Sequence, residues 1–136
     1  MKAVIEKQKK IKYQILLAED DEVNQDIVKA FLGGAADLEL TIACDGREAL
    51  ETALVKKYDL MILDRQMPYI SGDRVLLQLR AGRTLNGATP VIRFTAAADD
   101  KPVEIRKVNG VAEAVLPKPL GKEVLLSTVR RILERG

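Results

Sequence analysis

The sequence predicts an α/β fold, an open and doubly wound parallel sheet with helices on both faces. Three observations carry this expectation. Five short apolar runs recur along the chain, and most lack the polar alternation of a strand with one wet face. Segments of helical period separate them, each too long for a hairpin turn and long enough for a crossover helix. Polar and charged residues gather where the runs end, which is where open parallel sheets bind ligands.

The runs, in order, are Ile15-Leu16-Leu17-Ala18, Leu40-Thr41-Ile42-Ala43, Leu60-Met61-Ile62-Leu63, Val91-Ile92-Arg93-Phe94-Thr95 and Ala114-Val115-Leu116. After the first, Val23, Ile27 and Phe31 mark a helical stripe that ends at Gly33-Gly34. Leu50, Ala53 and Leu54 form the second stripe, after the turn at Asp45-Gly46. Val75, Leu76 and Leu79 form the third, after Ser71, and Leu125, Val129, Ile132 and Leu133 form the last. Residues 101–108 carry the weakest helical pattern, and a fourth helix there completes five alternations of strand and helix. Asp99-Asp100 is expected to cap that helix, and Asp21 the first one.

At 136 residues and 47% apolar composition, the chain suits one domain with a single sizeable core. No apolar run approaches the roughly 20 residues of a bilayer span, so no membrane insertion is expected. Residues 1–13 are lysine-rich rather than apolar, unlike a secretory leader, and a cytoplasmic location follows. The net charge of +2 is uneven, because five lysines and Glu6 give residues 1–13 a charge of +4. Residues 1–13 read as a basic extension or linker and residues 14–136 as the folded domain. With Tyr13 its one aromatic, the extension is expected to be solvated and not to bind nucleic acid.

The lone Cys44 excludes an internal disulfide and a cysteine-based zinc site, and it is expected to be a small buried residue. The absence of histidine removes Ser-His-Asp and Cys-His catalysis and means the chain cannot itself donate a phosphohistidine.

The first strand runs into Glu19-Asp20-Asp21, the third into Asp64, the fourth ends at Thr95 and the fifth leads to Lys118-Pro119. Carboxylates crowded on one rim repel, and a hard divalent cation with oxygen ligands relieves that repulsion. Magnesium, or manganese in its place, is the natural candidate. It prefers one or two carboxylates plus waters and a phosphate, so such a rim awaits a phosphoryl group.

These residues resemble those of the receiver domains of response regulators and hybrid sensor histidine kinases. Four motifs over residues 14–134 carry the resemblance: Ile15 to Gln25 with Glu19-Asp20-Asp21, Asp59 to Pro68 with Gly72, Pro90 to Ala96, and Leu116-Pro117-Lys118-Pro119. The Glu22-Val23-Asn24-Gln25 wording is most like receivers of hybrid kinases. The resemblance implies a flavodoxin-like, five-stranded parallel sheet of order 2-1-3-4-5. It implies Asp64 as phosphoacceptor, taking its phosphoryl group from a phosphohistidine on a histidine kinase or histidine phosphotransfer protein.

Under the same resemblance Glu19, Asp20, Asp64 and the backbone carbonyl of Gln66 hold the metal. Lys118, the Thr95 hydroxyl and the Ala96 amide bind phosphoryl oxygens, and Lys118-Pro119 is a cis peptide. Met67-Pro68 shapes the loop and Gly72 permits a tight start to the third helix. The last helix, with Arg106, Lys107 and Val115, is the implied partner face, serving an output or parent kinase domain; the resemblance leaves the oligomeric state open.

Three features depart from the family pattern. Val115 stands where an aromatic switch residue is common. Arg93 places a charge inside an apolar strand, where it needs an acidic neighbour or a route to solvent. The loop at Gly110 to Ala114 is one residue longer than usual. These leave room for a pseudo-receiver, a protein-binding module that works without phosphorylation. A dehalogenase-like phosphatase also uses an aspartate nucleophile, but it needs a second acid two residues on, where this chain has Gln66.

Overall fold

The structure, a computed structural model, describes residues 12–95 and 103–134. Six strands form one sheet: β1 (Tyr13–Ala18), β2 (Leu38–Ala43), β3 (Leu60–Asp64), β4 (Val91–Thr95), β5 (Ile105–Val108) and β6 (Val111–Pro117). Its order is β2-β1-β3-β4-β6-β5. Every pairing is parallel except β5 with β6. The parallel order expected from the sequence is therefore present, with one antiparallel strand added at its edge.

That strand corrects the expectation of a helix at residues 101–108. Ile105–Val108 is extended and folds back on β6, Ile105 pairing with Ala114 and Val108 with Val111. The turn between them is Asn109-Gly110, with φ of 53° and 82°. Asn-Gly is the favoured pair for a two-residue hairpin, because both central residues must adopt positive φ. Of the stretch Gly110 to Ala114 expected as a loop, Gly110 lies in this turn and Val111 to Ala114 already belong to β6. The cap expected at Asp99-Asp100 lies outside the described residues.

Four helices are described: α1 (Glu22–Leu32), α2 (Gly46–Val55), α3 (Gly72–Ala81) and α4 (Lys122–Glu134). Asp21, Asp45 and Ser71 cap the first three, each accepting from a backbone N–H in the first turn. Helices α1 and α4 cover one face, burying Val28, Leu32, Leu125, Val129 and Ile132 on Ile15, Leu17, Ile62 and Phe94. Helices α2 and α3 cover the other, with Ala49, Ala53, Val75 and Leu79 on Leu16, Met61, Leu63 and Val91. Full burial of each large aliphatic side chain contributes about 1.5–3 kcal/mol.

Two helical stripes sit at a different angle from the one expected. On α1 the buried residues are Gln25, Val28 and Leu32, while Val23 is exposed. On α2 they include Ala49 and Ala53, while Leu54 is exposed. Small residues line the inner face of α2, which lets it lie close to the sheet. Cys44 is exposed, not buried, because it follows the last residue of β2 and heads the turn into α2.

Of the two outcomes expected for Arg93 it has both, acidic neighbours and partial access to solvent. Its Nη1 lies 3.0 Å from Asp73 Oδ1 and its Nη2 3.4 Å from Glu113 Oε1.

Candidate phosphoryl-binding site

The carboxyl ends of β1, β3, β4 and β6 open into one cleft of about 410 Å³, lined by Glu19, Asp20, Asp21, Asn24, Asp64, Arg65, Gln66, Phe94, Thr95 and Lys118. Parallel register brings the two acidic strand ends together. Ala18 pairs with Leu63, so Glu19 and Asp64 leave the sheet side by side. Every residue of β3 is buried, which fixes Asp64 at the cleft floor.

Glu19, Asp20 and Asp64 each offer a carboxylate oxygen within 4.8 Å of the others. Glu19 and Asp64 are buried and Asp20 is exposed. Glu19 is held on three sides. Its N–H donates to Ala43 O at 3.0 Å, its carbonyl accepts from Gln25 Nε2 at 2.7 Å, and its Oε2 accepts from the Asp21 N–H at 3.1 Å. Lys118 Nζ donates to Asp64 Oδ1 at 3.1 Å and to Glu19 Oε1 at 3.4 Å. The ammonium thus bridges the two buried carboxylates.

The electrostatics follow from this crowding. Burial pushes the Glu19 carboxyl above the usual carboxylate range, and the charge of Asp64 adds to the rise. The Asp21 amide and Lys118 oppose it only in part. Burial also works against the Lys118 charge, but its hydrogen bond to Asp64 and the charges of Glu19 and Asp64 outweigh that and hold the ammonium above its ordinary value. Among the described cleft residues four carboxylates, Glu19, Asp20, Asp21 and Asp64, face two cations, Arg65 and Lys118.

The cluster of Glu19, Asp20 and Asp64 offers hard oxygens, and the described cleft residues include no cysteine or histidine, which suits magnesium or manganese and disfavours softer metals.

Lys118 is seated by its backbone as well. Its N–H donates to Thr95 O at 2.8 Å, its ammonium lies 5.7 Å from the centre of the Phe94 ring, and Lys118-Pro119 is cis. Gly72 is needed for close approach, since a Cβ there would stand 2.1 Å from Asp64 O. Its N–H instead donates to Arg65 O at 3.1 Å, tying α3 to the loop that carries Asp64.

The structure therefore brings Glu19, Asp20, Asp64, Gln66, Thr95 and Lys118 to one cleft, while Ala96 lies outside the described residues. Sequence reasoning missed Asn24 and Arg65, which line the same cleft. Adjacency to Asp64 was the one available signal for Arg65. Asn24 sits a turn into α1, and only the tertiary fold turns it toward the rim.

Comparison with known proteins agrees with this geometry. Residues 15–130 match the family model of the response regulator receiver domain. The regulatory protein VanRB of Enterococcus faecalis is 34% identical over 123 residues, covering 90% of this chain and 53% of that protein. The osmosensing histidine protein kinase SLN1 of Saccharomyces cerevisiae is 31% identical over 117 residues, 82% of this chain and 9% of that kinase. The chain thus spans about half the length of the first relative and a small part of the second.

Among solved structures, the receiver domain of the sensor histidine kinase PA1611 from Pseudomonas aeruginosa, which has a magnesium ion coordinated in its active site cleft, superposes with a TM-score of 0.74 at 25% identity. It covers 90% of this chain and 98% of that one. The chemotaxis protein CheY4 of Vibrio cholerae gives 0.72 at 26% identity, covering 90% and 99%. By family match, fold and the chemistry of its rim, the chain belongs to the response regulator receiver domains of two-component signalling.

Proposed function

We propose that this receiver is a working phosphoacceptor in a phosphorelay, with Asp64 as nucleophile and magnesium as its metal. One observation carries the reading. Three carboxylates from two separate strand ends meet within 4.8 Å, and a lysine from a third strand bridges two of them.

In this reading an Asp64 oxygen attacks the phosphorus of a partner's phosphohistidine. A P–O bond forms as the P–N bond breaks, and the electron pair returns to the donor imidazole. The donor histidine belongs to a histidine kinase or a histidine phosphotransfer protein, supplied by another chain or by a longer parent protein, because residues 1–136 contain no histidine. Glu19, Asp20, Asp64 and the Gln66 carbonyl would hold the metal, which when bound supplies the positive charge that lets a phosphoryl group approach three carboxylates. Lys118 exchanges Asp64 for a phosphoryl oxygen, and the Thr95 hydroxyl and Ala96 amide take the other oxygens. Phosphorylation then biases two conformations, which requires only a few kcal/mol.

Receiver domains are signalling domains rather than ordinary enzymes, and here the chain's own chemistry is limited to taking up and losing its phosphoryl group. The partner face is the surface of α4 and the β5–β6 hairpin, where Arg106, Lys107 and Val115 are exposed. Val115 carries no ring to rotate, so the signal leaves the site by another route. The basic extension acts as a linker that ends one residue earlier than the sequence suggested, because Tyr13 is already the first residue of β1 and pairs with Leu38. Among the described residues no helix is long and apolar enough to cross a membrane; the reading places the domain in the cytoplasm, beside its kinase.

The test is intact mass after incubation with acetyl phosphate and Mg²⁺. A gain of one phosphoryl group is expected, absent in Asp64→Asn and absent with chelator. An equal gain in Asp64→Asn would move the acceptor elsewhere.

A further inference from the structure

We propose that Arg65 is a further phosphoryl-binding residue, parked on Asp73 in the resting chain and released when Asp64 is phosphorylated. This deepens the phosphoacceptor reading and rests on it.

Charge points to it first. With a divalent ion bound, Glu19, Asp20 and Asp64 would be balanced by that ion and the Lys118 ammonium, leaving Asp21 as a fourth negative charge on the rim. Converting Asp64 to an acyl phosphate replaces one negative charge by up to about two, so the shortfall of positive charge grows by about one. Among the described lining residues the remaining cation is Arg65, the residue next to the acceptor. A guanidinium is also the side chain best matched to phosphoryl oxygens, because it offers a rigid fork of donors.

Arg65 is held by a solvated ion pair. Its Nε lies 3.3 Å from Asp73 Oδ2, in a pair whose side chains are 63% and 43% exposed. Solvated pairs of this kind contribute little and open readily. Asp73 does not depend on Arg65, because its other oxygen accepts from Arg93 at 3.0 Å. Arg93 in turn keeps Glu113 at 3.4 Å.

Release of Arg65 therefore strands no carboxylate. This gives the charge inside β4 a purpose: Arg93 is a positioning residue, holding Asp73 as a parking place with or without its occupant. The buried Arg93 Nε makes no hydrogen bond among the described residues, so the side chain is placed for its two acidic partners at some cost.

Two readouts test the proposal. The first is the rate of mass gain from acetyl phosphate, in which the Asp64–phosphorus bond forms and acetate leaves with its electron pair. R65M is expected to slow the gain by about tenfold, the scale of one charge-assisted hydrogen bond, with R65K recovering part of it. D73N, which weakens the parking and keeps the guanidinium, is expected to match wild type or exceed it. The second readout is the Arg65 Nε–H NMR signal, expected to move when the phosphoryl mimic beryllofluoride is added.

A wild-type rate in R65M, an unmoved Nε signal, or a D73N loss equal to that of R65M overturns the proposal. If wild-type protein itself gains no mass, the phosphoacceptor reading fails, which is a separate result.

Discussion

The two ends of the sheet are both polar, yet they are built on opposite terms. At the amino ends of β3 and β4, Asn86 and Thr89 are fully buried. Asn86 Nδ2 donates to Ala53 O at 2.6 Å and Lys56 O at 2.7 Å, and its Oδ1 accepts from Tyr58 N at 2.9 Å and Thr89 Oγ1 at 2.8 Å. Arg80 donates to the carbonyls of Asn86, Gly87 and Thr89 at 3.1, 3.1 and 2.7 Å. Each of these buried polar side chains has its partners within the network. At the carboxyl ends, two buried carboxylates share one ammonium beside a third acid. A saturated network holds one shape, whereas a site short of positive charge gains stability from whatever brings it.

The contrast is sharpest if each end is broken in turn. Asn86→Ala leaves several buried groups without partners, and since each costs about 1–3 kcal/mol, a loss of at least about 3 kcal/mol is expected in urea unfolding. At the other end the sign reverses. Mg²⁺ at one hundred times its dissociation constant should stabilise the chain by about 2.7 kcal/mol, read as a raised unfolding midpoint. Asp20→Asn should remove most of that gain while changing metal-free stability by no more than about 0.5 kcal/mol.

Arg80→Met, which strips the carbonyls of Asn86, Gly87 and Thr89 of one donor group, should cost about 2 kcal/mol. The smallest effect lies at the amino ends of β1 and β2, outside the Asn86 network, where the Asp37 carbonyl accepts from Tyr13 N. Arg130 forks onto Asp37 and holds its carboxyl below the usual range. A carboxyl with a lowered folded value adds stability above its unfolded value, and that contribution fades as pH falls through the folded one. Acid unfolding curves of wild type and Arg130→Met should therefore converge below the ordinary aspartate range and separate above it.

Much of this was legible in the sequence, and the limits have physical causes. The meeting of Glu19, Asp20, Asp64 and Lys118 was legible because each stands at the end of an apolar run, where a lone acid reads as a helix cap and a lone Lys-Pro as a loop breaker, but parallel register sends all such ends to one rim. The β5 strand was obscured because alternation favoured a crossover helix, although Asn109-Gly110 between two β-branched stretches is a strong local hairpin signal. Val23 and Cys44 misled by composition, since hydrophobicity does not say which side of a helix or turn meets the core.

Arg65, Asp73 and Arg93 could not be linked from sequence. Their ion pairs join the loop after β3, the first turn of α3 and the middle of β4, and only the folded chain sets those distances.

The most direct measurement is to locate the phosphoryl group. After incubation with acetyl phosphate and Mg²⁺, borohydride reduction converts an aspartyl phosphate to homoserine, and peptide mass mapping finds it. The account predicts homoserine at position 64 alone; homoserine at another aspartate, or none despite a mass gain in the intact chain, would contradict it.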